Sequence, residues 1–173
     1  MTAATDVLLV LFHILRSMTL FFVPREWRGK KILEDDIILI TGAGSGIGRE
    51  FAVSFAKRGA RHIVIFDINE SGMKETADLL SQQFPSCTVH NYVVDVTKRS
   101  QVYATADKVK TEVGMVTYLV NNAGIVSGST ILQTPDEKII KTFEVNAISH
   151  FWVCLWKLTF TNHSATICLT IFS

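Results

Sequence analysis

The chain has 173 residues, enough for one domain with a real core, and 48% of them are hydrophobic against 19% charged. A formal net charge of +1, with no basic cluster beside aromatic stacking residues, argues against nucleic acid as a partner. Three widely spaced cysteines (Cys87, Cys154 and Cys168) make neither a disulfide framework nor a C-x-x-C site, and the five histidines show no metal-ligand spacing. A reducing, cytosol-facing compartment and no bound metal are the expectations.

Val7 to Val23 is apolar except for His13, Arg16, Ser17 and Thr19. Seventeen residues is at the short end for a membrane span, and a central arginine is tolerated in hydrocarbon only by snorkelling. Asp6 precedes the run where a signal peptide carries positive charge. Arg25, Arg28, Lys30 and Lys31 follow it, which places the remainder on the cytoplasmic side. Residues 1–24 read as a membrane-associated hydrophobic helix, spanning or interfacial, and 25–35 as a basic linker.

From Asp36 the chain alternates strand and helix. Asp36 to Ile40 reads as a buried strand, and Arg49 to Gly59 as a helix that ends at glycine. Between them runs Thr41-Gly42-Ala43-Gly44-Ser45-Gly46-Ile47-Gly48. Strand, glycine turn and helix is the context of a dinucleotide-binding fingerprint, although the spacing T-G-x-x-x-G-I-G is not the common G-x-G-x-x-G. Gly42 allows the sharp turn, Gly46 lets backbone approach a pyrophosphate, and Gly48 lets the helix pack close to the sheet. Free N–H groups at the helix start then face phosphate.

Arg61 to Asp67 is a second strand that ends in an acid. Asp67 lies where a carboxylate receives the adenosine ribose 2′-OH; a helix cap or loop acid is the alternative. Met73, Ala77, Leu80 and Phe84 form a helical stripe closed by Pro85. Cys87 to Val94 is the third strand. Val102, Ala106, Val109 and Val113 repeat the stripe up to Gly114, and Met115 to Val120 is the fourth strand. Short links of this kind predict an α/β fold with a doubly wound parallel sheet. Right-handed crossovers put the glycine turn, Asp67, Asp95 and Asn121 to Gly124 at one side of the sheet, in a single crevice. Thr134-Pro135-Asp136-Glu137 is a helix start with cap, proline and acids, and its helix runs through Ile139, Ile140, Phe143 and Asn146 toward Trp152.

T-G-A-G-S-G-I-G, Asp67, Val94-Asp95-Val96-Thr97, Asn121-Asn122-Ala123-Gly124 and Val145-Asn146 together resemble the short-chain dehydrogenase/reductase family, in order and spacing, from about residue 36 to Trp152. The hydrophobic start followed by Val23-Pro24-Arg25 resembles its membrane-anchored branch of retinol and 17-beta-hydroxysteroid dehydrogenases. The resemblance implies a Rossmann-type domain over 36–152 and an NAD cofactor. Its binding residues would be Gly42, Ser45, Gly46, Ile47, Gly48, Asp67, Asp95, Val96, Asn121, Asn122, Ala123 and Gly124. It implies a lipid-like substrate, retinoid or steroid, at the endoplasmic reticulum membrane or a lipid droplet, with dimers possible in the full-length family. Asn146 would help hold a water chain to the family's catalytic lysine; a buried, satisfied amide is the plainer reading. Asp67 favours NAD over NADP, because Ala43, Gly44, Ser45, Ile68 and Asn69 supply no base, and Arg49 is expected to point away along its helix.

The family's proton transfer uses a serine and a Tyr-x-x-x-Lys pair, in which i and i+4 share a helix face and the ammonium lowers the phenol pKa. Four residues after Tyr92, Tyr103 and Tyr118 stand Val96, Asp107 and Asn122. Residues 153–173 read as a divergent tail, in which Thr166 to Phe172 is a remnant fifth strand and Ser173 a weak match to the catalytic serine. The expectation is a C-terminally truncated family member that is poorly stable and does not catalyse hydride transfer. An exposed fourth-strand edge and an exposed aromatic cluster of Phe151, Trp152 and Trp156 would be the cause. The alternative is a catalytically inactive NAD-binding or membrane interaction fragment.

Overall fold

The computed structural model describes residues 32–126, 128, 130–160 and 167–170. The Val7–Val23 segment and Ser173 lie outside the described residues. Five parallel strands, β1 (Ile37–Thr41), β2 (His62–Asp67), β3 (Thr88–Val93), β4 (Tyr118–Asn121) and β5 (Ile167–Thr170), stand in the order β3-β2-β1-β4-β5. Helices α1 (Gly46–Ala56), α2 (Glu70–Gln83), α3 (Arg99–Glu112), α4 (Asp136–Phe143) and α5 (Ser149–Phe160) connect and cover them.

β1 and β2 are continuous apolar runs because both their faces are covered. Ile38, Ile40, Ile63 and Ile65 meet Ala52 and Phe55 of α1 and Met73 and Leu80 of α2 on one face. Leu39, Val64, Phe66 and Leu119 meet Val102, Ala106 and Val109 of α3 and Val153 and Trp156 of α5 on the other. The α/β doubly wound sheet expected from the alternation is thus the one observed.

Four local expectations change. On α2 the fully buried residue beside Met73 and Leu80 is Thr76, with Ala77 half-buried, because the Thr76 hydroxyl donates to the Ala43 carbonyl at 2.9 Å. β4 begins at Tyr118 rather than Met115, which is 40% exposed. The helix from Pro135 is not uniform: a π-helical turn, Glu144–Ile148, separates α4 from α5, and α5 continues past Trp152 to Phe160. Its start shifts as well, since Pro135 is the N-cap and the Thr134 hydroxyl turns back to donate to the Thr130 carbonyl at 2.9 Å.

The expected bare edge on β4 is absent. β5 pairs with it, Tyr118 opposite Ile167 through Asn121 opposite Thr170. The aromatic cluster also divides. Phe151 is 64% exposed, but Trp156 is buried against α3 and donates its indole N–H to Asp107 Oδ1 at 3.2 Å. Trp152 is half-buried under the Arg99 guanidinium, 5.7 Å from the ring centre.

Candidate functional site

The glycine turn leaves β1 with Gly42 at φ 70°, a conformation that costs a side-chain-bearing residue about 1–2 kcal/mol. Its amide donates to the Phe66 carbonyl at 2.8 Å, which ties the turn to β2. A Cβ on Gly42 would come within 2.8 Å of the Ala123 Cα, and one on Gly48 within 2.6 Å of Asn122 Nδ2. Gly48 therefore accommodates the turn after β4 as well as the Gly42 carbonyl of its own glycine turn. Gly46, at φ 53°, differs: a Cβ there would meet no atom within 4 Å. It opens onto the cleft, beside the exposed Ser45 and Ile47 at the start of α1.

Asn122 joins the two halves of this cradle. Its side-chain amide donates to the carbonyls of Thr41 and Gly42, each at 3.0 Å. The Thr41 hydroxyl accepts the Asn122 and Ala123 amides, also at 3.0 Å. Asp67 closes the other side. Its Oδ2 accepts the Gly44 amide at 2.8 Å and its Oδ1 the Asn69 amide at 2.9 Å. A carboxylate has about four lone-pair sites, so each oxygen keeps capacity for a hydroxyl. The helix cap of α2 is Asn69, which accepts the Gly72 amide, and not Asp67.

Arg49 does not point away along its helix as expected; it bridges the glycine turn and α2. Its Nη2 donates to the Gly44 carbonyl at 2.6 Å and to Glu75 Oε2 at 2.9 Å, and its Nε donates to the Thr76 hydroxyl. Beyond Asp67, Asp95 Oδ1 accepts the Thr97 hydroxyl at 2.7 Å and the Thr97 amide at 3.0 Å. Desolvation alone would raise the Asp95 pKa; the Thr97 hydrogen bonds and the Lys141 and Lys98 ammonium groups together outweigh it and hold the carboxyl below its ordinary value.

These groups surround a cleft of about 440 Å³. Gly42, Ser45, Gly46, Ile47, Gly48, Asp67, Asp95, Val96, Asn122, Ala123 and Gly124 all line it. Asn121 and Asn146 do not line it. Asn121 is fully buried, with its amide donating to Cys154 Sγ at 3.2 Å. Asn146, in the π-helical turn, exchanges two hydrogen bonds with the Ile125 backbone. His150, in the first turn of α5, is buried; burial holds its pKa below the ordinary value, against a hydrogen bond to the Ala123 backbone. Sequence reasoning missed Lys141 and Val145 as lining residues, because no spacing rule shows which face of a helix meets a cleft. The Thr41 hydroxyl had a signal, its place at the head of the glycine motif.

The family model for short chain dehydrogenase matches residues 36–168, which takes in β1 to β4, the first two residues of β5 and every residue of the cleft. The chain belongs to the short-chain dehydrogenase family. 17-beta-hydroxysteroid dehydrogenase 13 of Homo sapiens is 44% identical over 144 residues, covering 83% of this chain and 46% of its own length. Retinol dehydrogenase 10-B of Danio rerio is 41% identical, over 88% of this chain and 51% of its own. The chain thus spans about half the length of the curated relatives it matches. L-sorbose reductase from Gluconobacter frateurii, solved with NADPH and L-sorbose, superposes with a TM-score of 0.65 at 33% identity, over 72% of this chain and 46% of that one. Short-chain dehydrogenases are oxidoreductases that use nicotinamide dinucleotides. Among the described residues no helix is long and apolar enough to cross a membrane.

Proposed function

We propose that these 173 residues form the NAD-holding half of an oxidoreductase site for lipid alcohols and ketones. The carrying observation is Asp67: its carboxylate lines the cleft one strand from the glycine turn, while Arg49 is tied to α2. A carboxylate there accepts ribose hydroxyls and repels a 2′-phosphate. The open flank of Gly46 and the exposed start of α1 suit the pyrophosphate. Sheet order supports the remaining roles: the Asp95–Val96 turn, outward of Asp67, would take the adenosine side, and Asn122 to Gly124, across β1, the nicotinamide side. Bound NAD supplies the hydride acceptor.

Proton transfer is a separate requirement, worth roughly 100- to 10,000-fold in rate. The described tyrosines are not arranged for it. Burial and the Glu112 carboxylate push the Tyr92 phenol up to about 12, and it donates to Glu112 at 2.7 Å. Tyr118 is 8% exposed within β4. On this reading the described residues hold the cofactor and supply no Tyr-x-x-x-Lys pair for the proton transfer. The names of the steroid and retinol dehydrogenase relatives support a retinoid or steroid substrate. The Val7–Val23 run supports membrane attachment, and the resemblance to the membrane-anchored branch supports the endoplasmic reticulum or a lipid droplet as its place.

Titration calorimetry of the 173-residue chain with NADH and NADPH tests the cofactor reading; tighter NADPH binding overturns the assignment. Oxidation of retinol or a steroid by the chain with NAD would overturn the proton-transfer part. Deleting residues 1–23 should release the chain from the carbonate-washed membrane fraction, and retention there would refute the anchor.

A further inference from the structure

We propose that Lys141 is a positioning residue for the adenosine end of the cleft, acting through the Thr97 hydroxyl on the Asp95 turn; this rests on the cofactor reading above. Lys141 lies on α4 and lines the cleft. Its Nζ donates to Thr97 Oγ1 at 3.2 Å, and the same hydroxyl donates to Asp95 Oδ1 at 2.7 Å. Ammonium, hydroxyl and carboxylate thus form one polarised chain across the gap between α4 and the end of β3. Glu144 Oε2, 3.7 Å from Nζ and one turn on, keeps the ammonium over the gap.

The same stretch of chain reaches the other end of the cleft. Asn146, five positions on, is bonded to the backbone of Ile125 just past β4. β3 and β4 stand on opposite sides of β1 and β2 in the sheet. Residues 141–146 therefore form a crossbar tied to both walls of the crevice, with Lys141 the tie on the β3 side. Gln101 braces the same turn from α3: its Oε1 accepts the Asp95 amide at 3.0 Å and its Nε2 donates to the Val93 carbonyl at 3.2 Å. Held from α3 and α4 together, the turn has one conformation to offer the cofactor, and less ordering remains for binding to impose.

The test is calorimetry of the full chain with NADH and with ADP-ribose, on wild type, Lys141→Met, Thr97→Val and the double variant. Lys141→Met should weaken both ligands equally, by about two- to tenfold, the worth of one hydrogen bond. In the Thr97→Val background it should weaken them no further, because the path through the hydroxyl is already cut. Lys141→Arg should recover affinity. Unchanged affinity in Lys141→Met overturns the proposal. So does a penalty that persists undiminished in the Thr97→Val background, since that marks simple attraction between the ammonium and the phosphates. A wild-type chain that binds neither ligand would remove this inference and the cofactor reading together, whereas binding by wild type with no Lys141 effect removes this one alone.

Discussion

Asn146 and Ile125 are joined by a reciprocal pair of hydrogen bonds. The Ile125 amide donates to Asn146 Oδ1 at 2.9 Å, and Asn146 Nδ2 donates to the Ile125 carbonyl at 2.9 Å. The side chain substitutes for a neighbouring strand, and the backbone after Gly124 acquires a fixed path where no strand supplies one. Asn146→Ala should cost about 1–2 kcal/mol in a urea melt. Asn146→Asp should cost more, because a carboxylate then faces the Ile125 carbonyl. An unchanged midpoint for both would show that the pair does not hold in solution.

Gly48 and Gly46 separate two kinds of glycine requirement. Gly48→Ala forces a methyl onto the Gly42 carbonyl and the Asn122 amide, so it should lower stability and abolish NADH binding together. Gly46→Ala meets no protein atom, so its cost in stability is the left-handed φ alone, about 1–2 kcal/mol, while its methyl would enter the space proposed for the pyrophosphate. Paired thermal melts and calorimetry distinguish them. Equal losses of stability in both would contradict the packing argument.

Acid should weaken the fold in the histidine range. Burial, then repulsion by His62, lowers the His90 pKa, with Glu112 opposing; burial lowers that of His150. A histidine whose folded pKa lies below its unfolded value contributes its full stability above the unfolded pKa, near 6.5, and loses it as pH falls through the folded one. Stability should therefore drop between about pH 7 and pH 5. His150→Gln should flatten part of that slope, and His90→Gln another part, since His90 Nε2 lies 3.2 Å from His62 Nδ1. A flat profile across this range in wild type would refute the assignment.

Cofactor choice should follow Asp67. Asp67→Ser should weaken NADH by about 10- to 100-fold, the loss of hydrogen bonds to a charged acceptor. Adding Ile68→Arg, at a residue 71% exposed on the cleft rim, should bring NADPH ahead of NADH. Competitive titration of the two cofactors reads the ratio directly.

The strands and the crevice were legible because their signals are local. Ile37 to Ile40 and Ile63 to Phe66 are apolar runs bounded by polar or glycine residues, and Gly42, Gly46 and Gly48 mark a turn that few other residues can make. The π-helical turn at Glu144–Ile148 was not legible. Its spacing of apolar residues mimics an ordinary helix, and the partner that accompanies it, the Ile125 backbone, is distant in sequence. The burial of Trp156 escaped for the same reason, since Asp107 and the α3 face that receive it cannot be inferred from its neighbours. The pairing of β5 depends on a strand 46 or more positions after β4, a distance over which alternation alone assigns no partner.

The bonds from Asn122 and Ala123 to Thr41 and Gly42 join positions 80 to 82 apart in the chain. A fragment running from β1 to Asp67 holds the glycine turn and the acid yet lacks half of the cradle. Its missing wall arrives only when β4 docks beside β1, after a long loop has been closed at an entropic cost that grows with its length. The crevice is therefore not a property of the βαβ unit that carries its best-known motif. It matures with the topology of the whole sheet, so that ligand affinity reports on completed folding more faithfully than helix content does.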